Sequence, residues 1–326
     1  MKDTRYNVCL VLLTSLLLML TGCSRRDVLD EYPVSGIQIK LDWSGVTDKL
    51  PDGMRAIFYP KDAEGRKMDA YFSAKGGEVK IPPGRYSMVI YNYNTETVQI
   101  RGEEAYETIE AFTGHCSGVN YPDAGQMVWE PDPLYVVSVE DLNIRNSNEL
   151  LQFDYKPKLV VNTYSFSTEA AGLNYVANVV GYVEGMADCY RLGTGKKSCS
   201  GCPIYFELSR SGNMIKGSFS AYGSPATGGA TRADALLKLT LAFVKVDYSI
   251  QKVEMDITEV IKAIEETTDP GGEGGGDGGK IPEIQLPVEE GGIEVEKPTS
   301  PPVDDGGIGG DVGDWGEEDN VEIPIK

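Results

Sequence analysis

The sequence predicts an all-β protein: two β-sandwiches in tandem, one short helix, and a Gly- and acid-rich C-terminal segment. Three observations carry this. Strand-like runs recur at short intervals, with turn formers between them. Several runs alternate apolar and polar residues, the period of a strand with one buried face. A single segment, near residues 257–265, carries apolar residues at i, i+3, i+4 and i+7, the stripe of a helix packed on a sheet.

The elements follow in order. Ile37-Gln-Ile39-Lys-Leu41-Asp-Trp43 alternates strictly. Strand-like runs then occupy 54–60, 68–73, 78–82, 85–94, 97–101 and 134–144. Pro51-Asp-Gly53, Lys75-Gly-Gly77 and Pro82-Pro-Gly84 separate them; proline presets φ and glycine accepts positive φ, so each reads as a turn. A second set covers 158–167, 173–183, 203–209 and 214–223. Residues 236–257 read as a long hairpin turning near Asp247-Tyr-Ser249. The expected domains are a first sandwich over 36–155 and a second over 156–268. Asp269–Lys280 is a Gly-rich linker with nothing to bury. In the acidic segment 281–326 alternation returns, and Val321-Glu-Ile323 is expected to dock as a terminal edge strand of the second sandwich. Pro324 fits an edge, where its missing N–H costs no ladder bond.

The N-terminus reads as an address. Val8–Leu20 is an apolar run of thirteen residues. As a helix it covers roughly 20 Å, short of the ~30 Å hydrocarbon core. Lys2 and Arg5 precede it and small residues follow, the layout of a secretory signal over 1–22. Leu20-Thr-Gly-Cys23 looks like a bacterial lipobox, so Cys23 is the expected lipidation site, with 23–35 as a tether. The implied partner is a membrane, held by acyl chains at about 0.8 kcal/mol per buried CH₂.

The formal charge is −20, and residues 268–326 alone carry −13. So acidic a chain offers no basic face to nucleic acid, and its charge reads as surface solubility. Beyond Cys9 in the signal and Cys23, four cysteines remain: Cys116, Cys189, Cys199 and Cys202. In an exported protein an even number points to disulfides, with three pairings open. Cys199-Ser-Gly-Cys202 has redox-motif spacing, but a strand-like run follows it where a thioredoxin-type motif would open a helix.

Catalytic motifs are lacking. His115 is the only histidine, and no G-x-S-x-G elbow is present. Gly193–Ser198 has the look of a phosphate loop, but Tyr190 stands where the first glycine belongs, so it reads as a lysine-bearing turn. Gly306–Asp311 matches one calcium-repeat unit, a motif that works only in stacked copies. No catalytic residue, metal site or cofactor is assigned.

Together "IQIKLDW" (37–43), "PDGMRAIFYP" (51–60), "IPPGRYSMVIYN" (81–92), "GSFSAYG" (217–223), "VEMDITEVI" (253–261) and "VGDWGEEDNVEIPI" (312–325) resemble the fimbrillin-like lipoproteins of Bacteroidota. That family has no assigned activity and is akin to the Mfa/Fim-type fimbrial anchor and accessory proteins. The resemblance implies transthyretin-like or Ig-like sandwiches and a lipid anchor in the outer membrane. It also implies fimbrial subunits or other surface proteins as partners, cell adhesion, and no catalysis. The expected function is a fimbrium-associated anchor or accessory subunit at the cell surface. A glycan-binding surface lipoprotein is the first alternative, which an exposed aromatic platform would favour. An extracytoplasmic glycosidase is the second, favoured by a cleft with paired carboxylates.

Overall fold

The computed structural model describes residues 36–44, 46, 49–62, 65–225, 236–268, 283–288 and 292–298. The signal segment, Cys23, the tether, the Gly-rich linker 269–280 and the terminal strand expected at 321–325 lie outside the described residues.

Among the described residues the protein is all-β with one α-helix, in five sheets. Three belong to one end of the molecule. A three-stranded sheet has the order β10 (Leu151–Tyr155), β1 (Ile37–Leu41), β4 (Gly76–Val79). A five-stranded sheet follows β11 (Lys158–Leu159), β9 (Tyr135–Ile144), β5 (Gly84–Asn92), β2 (Met54–Pro60), β3 (Met68–Phe72). A four-stranded sheet runs β15 (Lys197–Ser198), β14 (Cys189–Arg191), β7 (Glu110–Thr113), β6 (Val98–Arg101).

The five-stranded sheet is the middle layer. Side chains alternate across a strand, and here both faces are buried. Met54, Ala56 and Phe58 of β2, with Met88 and Ile90 of β5, meet Ile37, Ile39 and Leu41 of β1. Ile57, Tyr59, Val89 and Tyr91 point the other way, onto Val98, Ile109, Ala111, Tyr190 and Leu192. This explains why "MRAIFYP" and "SMVIYN" are near-continuous apolar runs rather than alternating ones: a strand covered on both faces needs apolar residues at every position.

The other end holds two sheets. One has the order β20 (Ile250–Asp256), β19 (Lys238–Lys245), β13 (Val176–Glu184), β16 (Ile204–Phe206), β8 (Val128–Trp129). The other is β17 (Leu208–Ser211), β18 (Met214–Ala221), β12 (Asn162–Ala171), β21 (Ile293–Glu294). Tyr164, Phe166, Ile215 and Phe219 pack against Val183, Phe206, Leu239, Leu241 and Phe243 between them. Gly181 sits under the Phe206 ring: a Cβ there would lie 2.3 Å from Phe206 Cε2, so only glycine lets the ring lie on β13.

The helix α1 spans Thr258–Thr268, where the apolar stripe placed it. Ile257 and Ile261 enter the core. Asp256 Oδ1 accepts the Thr258 N–H at 2.9 Å, and Thr258 bonds hold the Asp256 carboxyl below its ordinary range. Thr258 Oγ1 accepts the buried Leu237 N–H at 2.9 Å. At its far end Glu265 Oε1 accepts from Tyr164 Oη and the Ser224 N–H.

The described part of the acidic segment lies along β12. Ile284 N donates to Ser165 O at 2.8 Å, and Ile293–Glu294 pairs in parallel with Ala170–Ala171. Val295 N donates to Ala171 O. Ile284, Ile293 and Val295 are all buried.

Two exchanges tie the ends together. Residues 116–127, from the first half of the chain, lie on the second half: Cys116, Tyr121, Ala124 and Met127 cover Val180, Tyr182 and Ala242. The adjoining β8 pairs in parallel with β16, and Val128 N donates to Pro203 O at 2.9 Å. In return the β14–β15 hairpin leaves the second half and pairs with β7, Tyr190 opposite Ala111.

Candidate functional site

The cysteines expected to matter lie around this interlock. Cys116 is buried among Tyr121, Met127 and Val180, and burial pushes its thiol up to about 12. Cys189, on β14, is also buried; desolvation first and the Asp188 charge second push it up to about 12. Arg101 Nη2 stands 3.6 Å from its Sγ. Cys199 and Cys202 are half-buried. Asp188, itself buried, accepts the Ser200 N–H at 2.7 Å and the Ser200 hydroxyl, so it holds the Cys199–Cys202 loop in place. All four stand as free thiols. Burial raises Cys116, Cys189 and Cys199, the opposite of what a nucleophilic or redox-active cysteine needs.

His115 is exposed and bridges to Val128 at the start of the exchanged segment. Of Gly193–Ser198, the first four residues lie in the hairpin turn and Lys197–Ser198 form β15: Arg191 N donates to Lys196 O and Gly195 N to Arg191 O, with Gly195 at φ 70°. Glu110 holds the hairpin by charge, with Arg101 at 2.6 Å and Arg191 at 3.7 Å.

The other constellation is a cleft of about 410 Å³ on the five-stranded sheet, lined by Arg55, Tyr71, Tyr91, Tyr93, Asn94 and Thr95 among others. Arg55, on β2, organises it. Its guanidinium donates to Asp69 (2.8 Å), to both Glu103 oxygens (2.7 Å each) and to Tyr91 Oη (2.6 Å). The Glu103 bond is the main reason the guanidinium is raised above its ordinary range, and the same bond lowers Glu103. Burial, more than any charge, pushes Tyr91 upward. The guanidinium also lies 5.7 Å from the Tyr71 ring centre and 5.8 Å from that of Tyr91.

Tyr71 projects from β3, the edge strand, and is 62% exposed. Its ring meets Tyr93 edge to face, centroids 5.5 Å apart at 76°. Tyr93 in turn lies over Gly53, where a Cβ would stand 2.3 Å from Tyr93 Oη. Asn94 follows in the left-handed region, φ 62°, a conformation asparagine tolerates better than most residues. No local sequence signal singled out these residues: the cleft draws on β2, β3, β5, β6 and the segment after β5, and only tertiary pairing brings them together.

Comparison with known proteins follows the same lines. Residues 22–207 match the family described as "Domain of unknown function (DUF5119)". The chain is 50% identical, over 342 aligned positions and the full length of both proteins, to the Bacteroides ovatus "Putative fimbrium anchoring subunit Fim4B". Its fold matches the crystal structure of a "putative adhesin" from Bacteroides ovatus, with 47% identity and TM-score 0.70, over 86% of this chain and 99% of that one. The fimbrial anchor protein Mfa2 of Porphyromonas gingivalis aligns with 13% identity and TM-score 0.46, over 70% of this chain and 84% of that one. The match over residues 22–207, more than half of the chain, places it in the DUF5119 family.

Proposed function

We propose that this protein is a surface lipoprotein of the outer membrane that holds fimbriae to the cell as an anchoring subunit. The observation that carries the reading is the full-length match, at 50% identity, to a protein named as a fimbrium anchoring subunit. In this reading acyl chains on Cys23 fix the protein to the membrane, and 23–35 is the tether. The body is two tandem β-sandwiches of transthyretin-like type, one built chiefly from 36–155 and the other from 156–268, with Ile284 and Ile293–Glu294 of the acidic segment on the second.

The physical arrangement suits such a role. An anchor must pass load between a membrane and a filament. Two lobes joined by one linker would give way at the linker. Here β8 is hydrogen-bonded into one end and β14 into the other, so separating the ends means breaking sheet ladders and exposing the apolar clusters beneath them. An edge strand such as β10 offers backbone groups to which a partner subunit can add a strand. In an oxidising compartment we infer that a bridge forms among Cys189, Cys199 and Cys202, with Cys116 apart in its own apolar cluster. A peptide map taken under alkylating, non-reducing conditions would reveal four free thiols if that is wrong.

Cross-linking on intact cells tests the main reading. Fimbrial subunits should be recovered with the protein from its native surface. Recovery of polysaccharide-uptake components and no fimbrial subunit would overturn it.

A further inference from the structure

We propose that the cleft bordered by Tyr71 and Tyr93 is a binding subsite for a neutral saccharide, a role separate from fimbrial anchoring. The argument starts from Tyr71. A tyrosine left 62% exposed on a sheet edge needs no fixed position, yet this one is held on two sides. The Arg55 guanidinium lies 5.7 Å from its ring centre, and the Tyr93 ring meets it edge to face. Tyr93 is itself positioned by the missing Cβ of Gly53. Two oriented aromatic rings therefore border a cleft open to solvent.

The polar groups beside the rings set the chemistry. Asn94 is exposed and, in its left-handed conformation, adds a carboxamide that both donates and accepts. The Thr95 hydroxyl donates to Val98 O at 2.9 Å and keeps its accepting capacity. Three of the loop's backbone donors are spent: Glu96 N and Thr97 N both bind Asp132 Oδ2, and Tyr93 N goes to Gly53 O. Arg55, Tyr71 and Tyr91 are cross-strand neighbours on one face of the sheet, so the cleft opens on a face and not along a strand edge where a peptide would pair. It has ring faces and a few side-chain amides and hydroxyls. A pyranose matches these groups, with an apolar C–H face for the ring and hydroxyls around its rim.

Charge decides for a neutral ligand. Arg55 is the cleft's cation, and both carboxylate partners already occupy its donors. An anionic ligand could engage it only by breaking pairs held at 2.7–2.8 Å, a costly exchange for partly buried charges. The chain's net charge of −20 opposes an anion further.

Isothermal titration of the full mature protein tests this with named probes: maltoheptaose, xylohexaose, mannohexaose and chitohexaose, with heparin and polygalacturonate as anionic controls. At least one neutral oligosaccharide should bind, and neither anion. Tyr71→Ala, at an exposed position that leaves the core intact, should weaken binding by about tenfold or more. Gly53→Ala, which displaces Tyr93, should do the same. Both variants should hold fimbriae as well as the wild type does, so this proposal and the anchoring role fail separately. The proposal is overturned if no neutral oligosaccharide binds or if Tyr71→Ala binds as tightly as wild type. It is also overturned if Tyr71→Ala instead lowers the yield of fimbrial cross-links, which would make the cleft a protein contact.

Discussion

At the scale of the residue, Phe206 and Glu130 are the most informative positions. Phe206 is fully buried, with the Phe219 ring 5.4 Å away, the Phe166 ring 6.0 Å away and Gly181 beneath it. Phe206→Ala should therefore cost about 3–5 kcal/mol of stability, read by denaturant unfolding. A cost below about 1 kcal/mol would mean that the core collapses around the hole. Glu130 lies where the two ends meet. Its carboxylate accepts the Ser220 N–H at 2.9 Å, but burial raises it above its ordinary 4.5, and Asp132 and Glu207 add to the shift. The folded state thus holds this proton more tightly than the unfolded one, and stability falls as pH rises through the interval between the two values. Glu130→Gln keeps the acceptor and removes the charge. It should raise the melting temperature by a few degrees near neutral pH and by nothing below about pH 4, where the wild-type group is already neutral. Equal effects at both pH values would show that packing, not charge, governs the site.

At the scale of the element, the sequence was legible where a pattern is local. The Ile257–Ile264 stripe located α1, and the alternation of "IQIKL" located β1. The hairpin at Asp247–Ser249 closes as its turn residues indicate, with Ser249 N bonded to Asp247 Oδ1. The apolar runs of β2 and β5 even carried a mark of the third layer, since continuous runs signal burial on both faces. Elements set by distant partners were not legible. β8 has two residues, and its partner β16 lies 76 positions downstream. β14 has three residues and β15 two, and β14 pairs with β7 at the opposite end of the molecule. The tyrosine cleft was hidden for the same reason. In the acidic segment, the regained alternation at "GGIEVE" does correspond to a docked strand, β21. The amides of Ile284 and Val295, bonded to Ser165 O and Ala171 O, should therefore exchange slowly with deuterium. Exchange there as fast as in a free peptide would show that the segment does not hold to β12.

At the scale of the whole molecule, the reciprocal exchange of β8 and the β14–β15 hairpin determines how the protein should respond to stress. Unfolding either end strips a strand and an apolar cover from the other, so the ends should lose structure together. Near-ultraviolet circular dichroism reports on aromatics at both ends and should show one thermal transition that coincides with the far-ultraviolet signal. Two separated transitions would mean that the lobes are independent. This shared stability is what a subunit under tension needs, and it gives the anchoring role a structural basis beyond resemblance to relatives. The most direct test of that role is to count fimbriae on the cell and in the medium, for cells carrying the wild-type chain, Cys23→Ser, or no copy of it. The account predicts that fimbriae stay on wild-type cells and are shed into the medium in the other two. Fimbriae retained equally in all three would contradict it.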